Sequence, residues 1–165
     1  MDADHVDQLV EQWRTVRPEL ELAPMATFGR LGRIHAHATR AIESVFDRHG
    51  LTIGEFDVLA ALRRRGEPHV MTPTALSRLL MLSPAGMTNR LDRLAVAGLI
   101  ERRPDPDDRR SSLVVLTKVG RQRADAAVTD HVANEADLLG ALTKAERRTF
   151  DQLLRKLLAG LEPGD

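Results

Sequence analysis

Two hydroxyl–proline pairs eleven residues apart, Thr72-Pro73 and Ser83-Pro84, constrain this chain more than any other feature in it. Each places a side-chain oxygen where it can accept from the free N–H groups of a starting helix. Each follows it with a residue whose missing N–H costs nothing at the first helical position. Two helices therefore begin eleven residues apart, and the first has room for only about two turns before a tight turn. Gly98 closes the second. Beyond it the period changes: residues 99–103 and 113–116 read as strands, and the Pro-Asp-Pro-Asp-Asp segment between them reads as a hairpin tip. A short helix, a turn, a longer helix and a hairpin make a winged helix-turn-helix, whose second helix is suited to the DNA major groove.

Helices flank this unit. Val6, Leu9, Val10, Trp13 and Val16 recur at helical spacing until Pro18, and a second apolar stripe runs from about residue 24 to 49, with Gly50 past its end. Thr52 and Glu55 form a capping box that starts a helix over Ile53–Arg64. Thr117 caps a long helix to about residue 139, and Thr143 with Glu146 starts a last one carrying Phe150, Leu153, Leu154, Leu157 and Leu158. The expected fold is mainly α with a small β wing.

The 165 residues suit a single domain. Cysteine is absent, which removes disulfides, thiolate zinc sites and thiol switches, and the six histidines form no cluster with metal-ligand spacing. No apolar run approaches a membrane span and the N-terminus is acidic, so a cytoplasmic protein with no membrane partner is expected. Nucleophile elbow, phosphate loop and metal motif are all missing, so neither catalytic residues nor a cofactor are expected. The zero net charge hides a pattern: residues 1–28 carry −4, 29–85 carry +3, 86–123 carry +4 and 124–165 carry −3. A basic middle between acidic ends is the distribution expected when the middle meets a polyanion.

At 100° per residue, Met87, Leu91 and Leu94 share one face of the second helix, while Ala85, Asn89 and Arg93 lie opposite, with Thr88 at the edge and Ser83 at the cap. Small residues permit close approach, asparagine pairs with adenine, arginine with guanine or phosphate, and threonine with a phosphate or a thymine methyl. At the hairpin tip, Arg109 and Arg110 are candidates for the minor groove, with Asp108 bracing Arg110.

Asp108, Arg110, Ser111, Val114, Leu116, Thr117 and Gly120 spell D-x-R-S-x-x-V-x-L-T-x-x-G, which resembles the wing signature of the MarR family of transcriptional regulators. The resemblance covers nearly the whole chain. It implies one winged-helix domain over residues 1–165 that forms a homodimer. Residues 1–50 and 118–165 would be its dimerisation helices and residues 51–117 its DNA-binding region. It also implies an inverted-repeat DNA operator and, in many members, release by a small anionic ligand.

A polar pair bears on that release. The helix Ile53–Arg64 is apolar nearly all round, yet Asp57 projects between Ile53 and Ala61, where a carboxylate is expected to be buried and to need a cation. Arg90 flanks the core face of the second helix, so Asp57 and Arg90 are expected to share one internal polar site, as a ligand switch or as a static ion pair. With Trp13 and Arg102, these residues resemble the urate-responsive, PecS-like branch of the MarR family, and Arg14 is an extra candidate cation for an anionic ligand. That resemblance implies a repressor released by an anion related to urate, purines, or aromatic or tricarboxylic acids. The alternative is a winged-helix DNA binder with no effector, whose Asp57–Arg90 pair is structural.

Overall fold

The computed structural model describes residues 3–106, 108 and 111–162 and divides into two compact units, Met1–Ala41 and Ile42–Asp165. Its elements run α1 (His5–Val16), α2 (Ala23–Arg48), α3 (Ile53–Arg64), β1 (Val70–Met71), α4 (Pro73–Leu79), α5 (Pro84–Val96), β2 (Ile100–Pro104), β3 (Ser112–Leu116), α6 (Lys118–Leu138) and α7 (Lys144–Leu161). The mainly α fold with a small β wing stands as expected.

The first unit holds α1 against the start of α2. Asp4 caps α1 and forms a capping box with Asp7. Arg30 on α2 then grips both carboxylates, at 2.7 Å to Asp4 and 2.5 Å to Asp7, and this guanidinium holds the Asp4 carboxyl down at about 2. Val6 is buried over Gly29, where a Cβ would stand 3.1 Å from Val6 Cγ1. A side chain there would require Val6 to give by a few tenths of an ångström.

In the second unit, α3 is the axis of the core. Phe56, Val58, Leu59, Ala60, Ala61 and Leu62 are all buried, which explains a helix that is apolar nearly all round. Val45 and Phe46 of α2, Leu76 of α4, the inner face of α5 and Ala124 and Ala127 of α6 close around it. The sheet has the order β1-β3-β2, with both pairings antiparallel and Ile100 opposite Leu116. Two-residue β1 carries no legible alternation and was not expected from the sequence; it pairs Val70 with Val115.

Gly120 is fixed by packing. A Cβ on it would lie 1.9 Å from the Leu99 carbonyl oxygen, so the first turn of α6 can approach β2 only without a side chain. Thr117 closes the same corner, donating its hydroxyl to Gly98 O at 2.9 Å and accepting from Gly120 N–H at 2.9 Å. The final threonine and glycine of the wing signature are thus the hinge that joins wing to α6.

Candidate nucleic-acid interface

The five caps read from sequence at Thr52, Thr72, Ser83, Thr117 and Thr143 all accept backbone N–H groups in the structure. They set the frame of the candidate interface. Ser83 accepts from Gly86 N–H at 3.2 Å, Pro84 follows at the first helical position, and α5 buries Met87, Leu91 and Leu94. Ala85, Thr88, Asn89 and Arg93 are exposed, so the apolar and polar faces of α5 fall where the helical spacing puts them. Thr88 donates its hydroxyl to Pro84 O at 3.0 Å.

The charged partners of α5 were not legible in advance. Arg93 Nε lies 3.1 Å from Glu55 Oε1, and Glu55, only 9% exposed, also accepts Thr52 N–H at 2.8 Å. The capping carboxylate of α3 therefore holds the candidate base-reading arginine of α5. Arg90 Nη1 donates to Gly54 O at 3.3 Å, and its guanidinium lies flat enough on Gly54 that a Cβ there would stand 2.3 Å from Cζ. Arg90 and Arg93 thus seat α5 on the first turn of α3. Beside them opens a cleft of about 400 Å³, whose α2 wall carries Glu43 and Asp47.

Asp57 departs from expectation. It is half-buried rather than buried, and Arg90 makes its hydrogen bond to Gly54 and no ion pair with Asp57. Burial pushes the Asp57 carboxyl above its ordinary value, against the opposing fields of Arg90, Arg64 and His131. His131 of α6 also packs on Phe46 and Phe56 at ring-centroid distances of 5.1 and 5.7 Å. Asp57 and Arg90 are neighbours in charge, not a bonded pair.

Arg102 on β2 takes its partners from α5, Asp92 at 2.7 Å and Thr88 O at 3.3 Å, and so ties the wing to that helix. Trp13 and Arg14 belong to the first unit, where Trp13 is 45% exposed and Arg14 pairs with Glu11 at 2.6 Å. Arg109 and Arg110 lie outside the described residues, and so does the expected brace between Asp108 and Arg110. Asp108 accepts Ser111 N–H through its carbonyl at 2.9 Å, a bond that closes the hairpin tip. Among the described residues, no group of three or more His, Cys, Asp or Glu side chains could hold a metal ion. No described helix is long and apolar enough to cross a membrane.

The MarR family model matches residues 49–111, which span α3 to the hairpin tip. The HTH-type transcriptional regulator PecS of Dickeya dadantii is 39% identical over 152 residues, 92% of this chain and 92% of its own length. The chain belongs to the MarR family. The PecS and MarR relatives that this MarR-family protein matches are named as a transcriptional regulator and as multiple antibiotic resistance proteins. A mutant of MarR from E. coli, solved in complex with operator DNA, superposes with a TM-score of 0.67 at 26% identity, covering 88% of this chain and 97% of that one. AbsC of Streptomyces coelicolor has a TM-score of 0.75 at 21% identity over 88% of this chain and 98% of its own, a likeness of fold alone.

Proposed function

We propose that this MarR-family protein binds an inverted-repeat DNA operator as a homodimer and represses transcription there until a small anion releases it. The observation that carries the DNA-binding part is α5: it is capped by Ser83, anchored by Met87, Leu91 and Leu94, and exposes Ala85, Thr88, Asn89 and Arg93 on one face. A helix so held can enter the major groove, with Asn89 and Arg93 reading bases, Ser83 touching the backbone and Thr88 open to a thymine methyl. Arg109 and Arg110 are assigned to the minor groove from sequence alone, with Asp108 bracing Arg110. The E. coli mutant MarR of similar fold, solved in complex with operator DNA, supports DNA as the partner.

Dimerisation is supported by α7, an amphipathic helix with no buried residue, which leaves Leu153, Leu154, Leu157, Leu158 and Leu161 open to solvent. An apolar stripe of that length is costly to leave in water. A two-fold dimer predicts half-sites about one helical turn apart.

For the release step, the anion is assigned to the cations that seat α5. A carboxylate or urate-like anion competing for Arg90 would loosen the seat of α5 on α3, and Asp57 adjusts the local charge. Arg102 would pass the shift to the wing through Asp92 and Thr88, while Trp13 and Arg14 stay candidate ligand residues on the strength of the resemblance alone. The shift is limited to the ligand's differential affinity for the two arrangements. One observation favours an effector-free regulator instead: Arg90 and Arg93 are already satisfied by Gly54 O and Glu55.

Thermal shift with urate, xanthine, salicylate and citrate separates the two. An effector raises the melting temperature of wild type and not of Arg90→Ala, and lowers operator affinity in the same concentration range. Equal shifts in both proteins would remove Arg90 from the release step.

A further inference from the structure

The α4–α5 turn carries the largest exposed apolar group on the DNA-facing side of the fold, and no residue assigned so far explains it. Met81 is 93% exposed. Its backbone is left-handed, at φ 51°, and the turn is pinned by Met81 N–H to Arg78 O at 3.3 Å and Leu82 N–H to Ser77 O at 2.9 Å. The direction of the thioether is therefore set by the turn, not by packing. Met81 stands at a cleft of about 360 Å³ between α4 and the start of α5, walled by Pro84 and Thr88 on one side and by Thr74, Ser77 and Arg78 on the other.

The chemistry of the cleft is uneven. Its α5 wall is apolar or spent as a donor, since Pro84 has no N–H and the Thr88 hydroxyl donates to Pro84 O. Its α4 rim is polar and cationic, and Arg78 makes no ion pair among the described residues. A phosphate would be drawn to the rim and find nothing on the wall. The one apolar group that base pairs present in the major groove is the thymine C5-methyl. Thr88 also lies on the exposed face of α5 on which Asn89 sits, so the cleft is continuous with the proposed reading surface.

We infer that Met81 and the Thr88–Pro84 wall form a pocket for the methyl group of one thymine in each operator half-site, with Arg78 gripping the adjacent phosphate. This rests on the DNA-binding function proposed above and extends it to residues of α4 and of the turn. Met81 reads a methyl by contact. Arg78 fixes register and carries no base preference.

The test uses the full-length chain and a duplex enriched from a random pool by wild type. The duplex is resynthesised with deoxyuridine replacing each thymidine in turn, a change that deletes only the methyl, and affinities are read by fluorescence anisotropy. One position per half-site should weaken wild type about three- to tenfold, as expected for loss of one buried methyl. Met81→Ala should bind the thymidine and deoxyuridine duplexes equally at that position while keeping the wild-type melting temperature and salt dependence. Arg78→Ala should weaken every duplex alike and reduce the salt slope by about one.

Wild type indifferent to every deoxyuridine substitution overturns the pocket, including the case in which the cleft takes a small aromatic molecule instead. Met81→Ala that loses affinity while retaining full sensitivity to the methyl also overturns it. Failure of the pool to yield any preferred duplex sinks the DNA-binding function itself, and is distinguished from failure of the pocket by that absence of enrichment.

Discussion

Gly54→Ala isolates the contact by which α5 is seated on α3. A Cβ at residue 54 would lie 2.3 Å from Arg90 Cζ, 2.6 Å from Nη1 and 2.7 Å from Nε. All three atoms belong to the end of a flexible side chain, so the guanidinium moves and the backbone stays. Replacing glycine by alanine in a helix gains up to about 1 kcal/mol, and losing the Arg90–Gly54 hydrogen bond costs about 0.5–1.5 kcal/mol. The two nearly cancel in wild type. In an Arg90→Ala background only the gain remains, so the same substitution should stabilise by up to about 1 kcal/mol, giving a coupling of about 0.5–1.5 kcal/mol. Urea unfolding of the four proteins at fixed protein concentration measures it. Equal effects of Gly54→Ala with and without Arg90 would refute the claim that Arg90 rests on Gly54.

Gly120→Ala should behave in the opposite way, because its Cβ meets the Leu99 carbonyl at 1.9 Å and backbone cannot swing aside; a loss of at least about 2 kcal/mol is expected in the same unfolding assay. Asp57 has its carboxyl pushed above the ordinary value of 3.8 by burial, so its ionisation disfavours the folded state as pH rises past that value. Asp57→Asn should therefore be more stable than wild type at pH 7, with the difference shrinking as the pH falls toward about 4 and absent below it. Glu55→Gln should free Arg93 and lower the melting temperature by a few degrees through the weakened cap, while Asn89-dependent base preference persists. Leu157→Glu on α7 should shift the chain from dimer to monomer in sedimentation, and weaken operator binding with it.

What was legible in the sequence was local. Threonine and serine caps act on N–H groups three residues away, so Thr52, Ser83 and Thr143 announced their helices, and the inward face of α5 followed from spacing alone. The seat of that helix was not legible. Glu55 and Arg93 are 38 residues apart and Gly54 and Arg90 are 36 apart, and nothing in helical periodicity says which first turn will lie beneath which arginine. The glutamate read only as a capping partner is also the anchor of Arg93. Asp57 was read as buried because its own helix is apolar around it, but exposure depends on what covers that helix, and there the covering is partial. Phe46 and Met81 carried no sequence signal of their roles: one completes the core beneath His131, the other stands out at a turn whose left-handed backbone is a tertiary outcome.

The most direct measurement of the central claim, that α5 is a base-reading helix held rigidly on α3, is a comparison of wild type and Asn89→Ala against every single-base-pair variant of the enriched operator. Relaxed preference at one position per half-site, worth about 1–3 kcal/mol, with the other positions unchanged, is the predicted result. A uniform loss at all positions would place Asn89 on the phosphate backbone, and no loss at all would take α5 out of the major groove.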